Sequence, residues 1–232
     1  MVRALLVLAG LPLLASAARG LDGAPVWEQR WVAQTLAGGR PLAVRELADG
    51  SIFVLAAAGS ELAGVRYNHL GSIVSTSILT VPHLNFFGLP NTQTRFAIDP
   101  FGGVFVAAVS DVELTRGDIW VMKYDGFSGK PMWAAPRVLD TVPPFQDAPL
   151  QILVDHRGNA VVVGFSEGGS SERIAVLIEY DGVTGATACG PRTIHPATRI
   201  TAALDPSDAV ILSLSTRQDT GAGRDSTRTS RS

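Results

Sequence analysis

Lys123-Tyr124-Asp125-Gly126-Phe127-Ser128-Gly129 returns as Glu179-Tyr180-Asp181-Gly182-Val183-Thr184-Gly185, a step of 56 residues between the two tyrosines. Asp99-Pro100-Phe101-Gly102 keeps the same step and returns as Asp155-His156-Arg157-Gly158. A period of this length means stacked copies of one supersecondary unit, each unable to bury its apolar face alone. Tyr67 stands 57 residues before Tyr124 and marks a more diverged copy upstream.

The intervals between these turns read as strands. In the second unit, 94–99 is short and β-favouring and ends in the Asp-Pro-x-Gly turn, where Pro presets φ and Gly tolerates positive φ. Residues 103–109 are an apolar, β-branched run, 118–124 alternates, and 132–139 follows the tyrosine phrase. Four short strands between turn signals make a four-stranded antiparallel meander. The third unit repeats it at 150–155, 160–165, 174–180 and about 187–194. Its run Ala160-Val161-Val162-Val163 is continuously apolar, the pattern of a strand buried on both faces. The first unit places strands at 51–56, 61–67 and 73–79, with Asn68-His69-Leu70-Gly71 standing where the tyrosine phrase stands later.

Flanking segments belong to the same plan. Pro82, Pro143 and Pro196 each follow a fourth strand, where a residue without an N–H stops the ladder. A fourth unit begins at 200–204 and 209–214 and then lacks the tyrosine phrase. Residues 215–232 contain no aliphatic residue except Ala222, so the tail is expected to be disordered for want of apolar surface to bury. Val26 to Trp31 reads as a lone fourth strand, with Trp31 in the role of Trp133.

The turn Asp155-His156-Arg157-Gly158-Asn159, the strand Val161 to Gly164, Lys123-Tyr124-Asp125 and Trp133 resemble the repeats of bacterial exported β-propellers of the seven-bladed type. Asp125 to Trp133 is also similar to a phrase that recurs in quinoprotein (PQQ) dehydrogenases. The resemblance runs over about 42–214 and is strongest over 94–194. It implies an all-β fold, a partial β-propeller of about three to four four-stranded blades, at about 42–80, 94–139 and 150–194, with a partial blade at 200–214 and an N-terminal strand at 26–34. Propellers have typically four to eight blades, so the ring is expected to be incomplete or truncated. The change of composition at Ser215 points the same way. A propeller implies no particular activity.

Residues 1–17 read as a signal peptide: Arg3, a short apolar core broken by Pro12, and the small-residue site Ala15-Ser16-Ala17. The mature chain, 18–214 with its tail, is expected in the periplasm, at the cell surface or outside the cell, without a transmembrane anchor. Cys189 is the single cysteine, so no internal disulfide helps the fold and the core must suffice. The core is large enough to do so, at 46% hydrophobic and 17% charged residues. A net charge of −2 excludes a basic field for nucleic acid. Only Lys123 and Lys130 among 19 basic residues are lysine, a bias read as genome composition.

Candidate chemistry is sparse. Asp99, Asp125, Asp155 and Asp181 could belong to a metal or quinone site, but recurrence in every unit favours turn capping. His69, His83, His156 and His195 share no metal-ligand spacing. Cys189 aligns with Trp133 and reads as a packed apolar residue rather than a reactive thiol. The second-to-third-strand loops and the inter-unit connections share one face, which gathers Phe86, Phe87, Asp111, Glu113, Phe145 and Glu172. Mixed aromatic and polar loops on a rigid scaffold suit a binding surface for a protein or carbohydrate ligand, and open blade edges offer a route to self-association. The expectation is a non-enzymatic binding or scaffold module without cofactor, catalytic residues or metal. The alternative is a fragment of a periplasmic quinoprotein oxidoreductase, which would need PQQ, a cation and a channel that this many blades do not enclose. A glycoside-active propeller would need a carboxylate pair that the sequence does not nominate.

Overall fold

The computed structural model describes residues 40–58, 61–81, 94–109, 117–139, 146–167, 173–194, 199–217 and 225–231. All are strands and turns, in four antiparallel sheets that follow one another along the chain as an open, partial β-propeller. The chain divides into two compact units, residues 1–90 with 125–130, and 91–124 with 131–232.

The first unit holds one sheet, β1 (Arg40–Glu46), β2 (Ile52–Ala58), β3 (Glu61–Tyr67) and β4 (Ile73–Leu79), paired in chain order. Val54, Val65 and Tyr67 form its apolar centre, while β4 is mostly exposed. The 125–130 turn joins this unit through Phe127, whose ring meets Phe53 edge-on at 5.8 Å.

The second unit holds three sheets. The first is β5 (Arg95–Ile98), β6 (Gly103–Val109), β7 (Ile119–Asp125) and β8 (Arg137–Leu139). The second is β9 (Gln146–Val154), β10 (Ala160–Glu167), β11 (Arg173–Tyr180) and β12 (Thr187–Ile194). The third is β13 (Arg199–Leu204), β14 (Val210–Arg217) and β15 (Asp225–Arg231). β9 packs against β5 and β6 on one side and against β13 on the other, so first strands lie side by side.

Burial follows from this stacking. On β10, Val161, Val163 and Phe165 pack on Ala202, Leu212 and Leu214 of the next sheet. Gly164 points the other way, where a Cβ would come within 2.6 Å of Ile119 Cδ1 and 2.7 Å of the Ala148 carbonyl, so only glycine fits. A strand covered on both faces has no use for polar alternation, which explains the continuous apolar run 160–163. β12, last in its sheet, is mostly exposed.

Four expectations change. The tail is not wholly without structure: β15 pairs with β14 from Ile211↔Arg231 to Arg217↔Asp225. An added edge strand is held by its main-chain ladder and needs no aliphatic side chains, which the composition overlooked. β14 runs on to Arg217, past the predicted end at 214, and β9 starts at Gln146 rather than 150. β8 is confined to Arg137–Leu139 instead of 132–139: Pro131 makes a single bridge to Tyr124, and Pro136 has no N–H to donate to a ladder. The signal peptide 1–17 and the strand 26–34 lie outside the described residues. Among the described residues, no helix is long and apolar enough to cross a membrane.

Candidate functional site

In every sheet the first two strands meet in a turn of four or five residues. Asp99 Oδ1 accepts the N–H groups of Phe101 at 2.7 Å and Gly103 at 2.8 Å. Asp155 does the same for Arg157 (2.9 Å) and Asn159 (2.7 Å), and Asp205 for Ser207 (2.8 Å) and Ala209 (3.0 Å). The tyrosine-phrase aspartates also cap turns. Asp125 accepts from Phe127 at 2.8 Å, and Asp181 from Val183 at 3.1 Å and Thr184 at 2.7 Å. The Thr184 N–H and hydroxyl hold the Asp181 carboxyl below the usual carboxylate range.

The residue before each tyrosine is what differs. Lys123, on β7, sends its ammonium into the interior, with side chains 5% and 2% exposed for Lys123 and Asp99. Its Nζ lies 2.7 Å from Asp99 Oδ2, donates to the Gly182 carbonyl at 2.8 Å and sits 4.7 Å from the centre of the Phe105 ring. The lysine fits because residue 103 is glycine; a Cβ there would lie 2.5 Å from Lys123 Cε. In the other unit, Arg66 occupies the same place on β3, paired with Asp49 and 4.8 Å from the Phe127 ring centre.

On β11 that position is Glu179. Asp155 stands where Asp99 stood, Val161 where Phe105 stood, and Asn159 where Gly103 stood. The turn between β13 and β14 faces them and carries Asp208 at φ 64°, where the other turns have Gly50, Gly102 and Gly158. Asp208 accepts the His156 N–H at 3.4 Å and pairs with its imidazole. Between the two sheets lies a pocket of about 180 Å³, lined by Asp155, Arg157, Asn159, Val161, Glu179 and Asp208 among others. Val161 is smaller than Phe105 and Glu179 reverses the charge of Lys123, while Asn159 brings its amide to the carboxylate oxygen whose counterpart Lys123 meets in the preceding sheet.

Asp155 is 8% exposed. Its Oδ2 accepts the Asn159 amide at 2.9 Å, and Asn159 in turn accepts the Gly182 N–H at 3.0 Å. Asn159 satisfies hydrogen bonds but carries no charge, and among the described residues no cation lies within ion-pair distance of Asp155. Among the described residues, no group of three or more His, Cys, Asp or Glu is placed to hold a metal ion.

Phe86, Phe87, Asp111, Glu113, Phe145 and Glu172 all lie outside the described residues, as do His83 and His195. His69 is exposed in its turn, and Cys189 is half-buried on β12, across the ladder from Glu179. Glu179 and Asp208 were not among the sequence candidates. The signal lay in the aligned phrases, where Lys123 became Glu179 and Gly158 became Asp208.

No family model and no curated protein matches this chain. Among solved structures it is similar to a protein of unknown function from Dyadobacter fermentans, at 16% identity over 84% of this chain and 61% of that one, with a TM-score of 0.44. It is also similar to a polysaccharide lyase of family PL25, an ulvan lyase, at 10% identity over 87% of this chain and 55% of that one, with a TM-score of 0.47. A protein from Lactobacillus plantarum gives 18% identity over 84% and 55%, with a TM-score of 0.42. The chain spans about 55–61% of the length of these structures. At these identities and scores they assign neither activity nor ligand.

Proposed function

We propose that this chain is an exported, non-enzymatic β-propeller repeat protein of the bacterial seven-bladed type, acting as a binding or scaffold module. One observation carries the proposal: each carboxylate that recurs in its phrases caps its own turn through Oδ1. A catalytic centre draws single residues from different elements to one point, whereas these repeat once per sheet and serve the backbone. Polar side chains also line the pocket beside Asp155, where a rigid sheet scaffold can present them to a ligand.

Two measurements test this. Replacing Phe86, Phe87 and Phe145 together by alanine should abolish capture of a protein or glycan ligand on an array without lowering the melting temperature. Retained capture by the triple variant overturns the loop-face assignment. Adding PQQ with calcium should change neither absorbance nor melting temperature; a saturable change in both would favour quinoprotein chemistry instead.

A further inference from the structure

We propose that β4 is a self-association edge, at which a second copy of this chain pairs antiparallel about a twofold axis at Thr76. The occupant of the edge is the same strand of the second copy, and the order of residues along β4 sets the register.

Among the described residues the four sheets end in eight edge strands. Unpaired N–H and C=O groups on such edges take up other chains, and native sheets discourage this with charged residues and prolines. Seven of the edges follow that practice. Each carries at least one charged residue, and β1, β9 and β12 add Pro41, Pro149 and Pro191. β4, Ile73-Val74-Ser75-Thr76-Ser77-Ile78-Leu79, has neither. It pairs only with β3 among the described strands, and Val74 and Ile78 are 54% and 47% exposed. A bulge at Val74 is its one irregularity; the ladder to β3 is regular from Ser75 to Leu79.

The strand is also nearly palindromic. Antiparallel pairing of two copies about Thr76 sets Thr76 against Thr76, Ser75 against Ser77, Val74 against Ile78 and Ile73 against Leu79. Hydroxyl meets hydroxyl and branched apolar side chain meets branched apolar side chain, the cross-strand matches that stabilise a sheet. A slip of one residue either way sets Val74 against Ser77 or Ile78 against Ser75, so one register is singled out. A twofold contact needs a self-complementary surface, and a palindrome supplies it within a single strand. A strand of unrelated sequence would use the main chain of β4 but not this match of side chains. One face of β4 is already occupied: Ser77 donates to the Gly126 carbonyl, and a Cβ at Gly129 would meet the Ile78 carbonyl. The other face carries Val74, Thr76 and Ile78, all exposed, which pairing would align with the same row of the second copy. No charge on the strand has to leave water. Seven residues of ladder make less than a standard interface, so association is weak and concentration-dependent.

The test is sedimentation equilibrium of the purified full chain over a concentration series, in which a monomer–dimer equilibrium is expected. Thr76→Lys sets two like charges opposite each other at the twofold axis and should weaken the dimer by about tenfold or more. Its side chain is exposed, so the melting temperature of the dilute protein should not change. Thr76→Glu should act in the same way, and an equimolar mixture of the two variants should dimerise again. Crosslinking reads the register, with Cys189→Ala removing the native thiol. Thr76→Cys should oxidise to a covalent dimer, because directly opposed residues of antiparallel strands lie within disulfide reach. Val74→Cys should not crosslink alone but should do so when mixed with Ile78→Cys. A chain that stays monomeric up to its solubility limit, a dimer indifferent to Thr76→Lys, a Lys and Glu mixture that stays monomeric, or Val74→Cys crosslinking alone as readily as Thr76→Cys overturns the proposal.

Discussion

Lys123 Nζ lies 2.7 Å from Asp99 Oδ2 in the interior of the second unit, and the same ammonium reaches the Gly182 carbonyl 59 residues further along the chain. One side chain therefore neutralises its own sheet's first turn and ties it to the third-to-fourth-strand turn of the next sheet. Lys123→Met should leave Asp99 as an uncompensated buried charge and destabilise the fold by about 3–5 kcal/mol. Adding Asp99→Asn should recover much of that loss, since a neutral pair is far cheaper to bury. Denaturant melts of the two single variants and the double variant check this through their coupling energy.

Asp208 holds a left-handed backbone at φ 64°, which the equivalent glycines adopt without strain. Its pairing with His156 is at the surface and worth little. Asp208→Gly should therefore raise stability, by up to about 1 kcal/mol, while Asp208→Val should lower it by more than that. Thermal melts of both variants give the sign.

All three tyrosines of the chain are buried, and burial pushes each of their hydroxyls up to about 12 from the ordinary 10.0. A phenol kept protonated by the fold stabilises it fully below the unfolded value near 10 and loses that contribution as pH climbs towards 12. Spectrophotometric titration should show no tyrosine ionising near pH 10 in the native chain, then a single cooperative rise together with loss of the β-sheet circular dichroism. A separate early tyrosinate signal would contradict the burial.

Trp133 is 3% exposed and stands with its ring centre 5.7 Å from Phe105 and 5.9 Å from Tyr180. Trp133→Ala should cost about 3–5 kcal/mol, because it opens a cavity and removes the ring that Phe105 and Tyr180 pack against. Trp133→Phe should cost much less. Denaturation midpoints of the two variants separate packing from the weak indole hydrogen bond to Gly182, 3.4 Å long.

β15 is the last strand of its sheet and pairs only with β14 among the described strands. Its amides should exchange in an alternating pattern, slow where the N–H points at β14 and fast where it points outward. Residue-resolved hydrogen exchange over 225–231 measures this. Uniform fast exchange would return the tail to the disorder that its composition suggested.

Most strands could be located from local chemistry. Asp-x-x-Gly turns and period-two or continuous apolar runs act over a few residues, so β6, β7, β10 and β11 came within one or two residues of their positions. β8 came out shorter than predicted because Trp133 looked like a strand residue, while Pro136 beyond it has no N–H to give a ladder. β15 was missed because an edge strand is held by main-chain pairing with a neighbour, which composition does not record. The pocket was missed for a related reason: Glu179 read singly is one surface-like carboxylate in a turn phrase.

From the order of its residues alone, this chain commits to repeated antiparallel meanders, since turn residues and apolar periodicity are short-range and recur every 56 or so positions. Only the tertiary structure decides which charges meet. Asp155, Val161 and Glu179 come together through strand pairing, and Asp208 joins them when the next sheet stacks on their own. Coulombic and packing energies depend on distance in space. The change from Lys123 to Glu179, 56 residues later, therefore takes effect only once the fold has brought the surroundings of each into place.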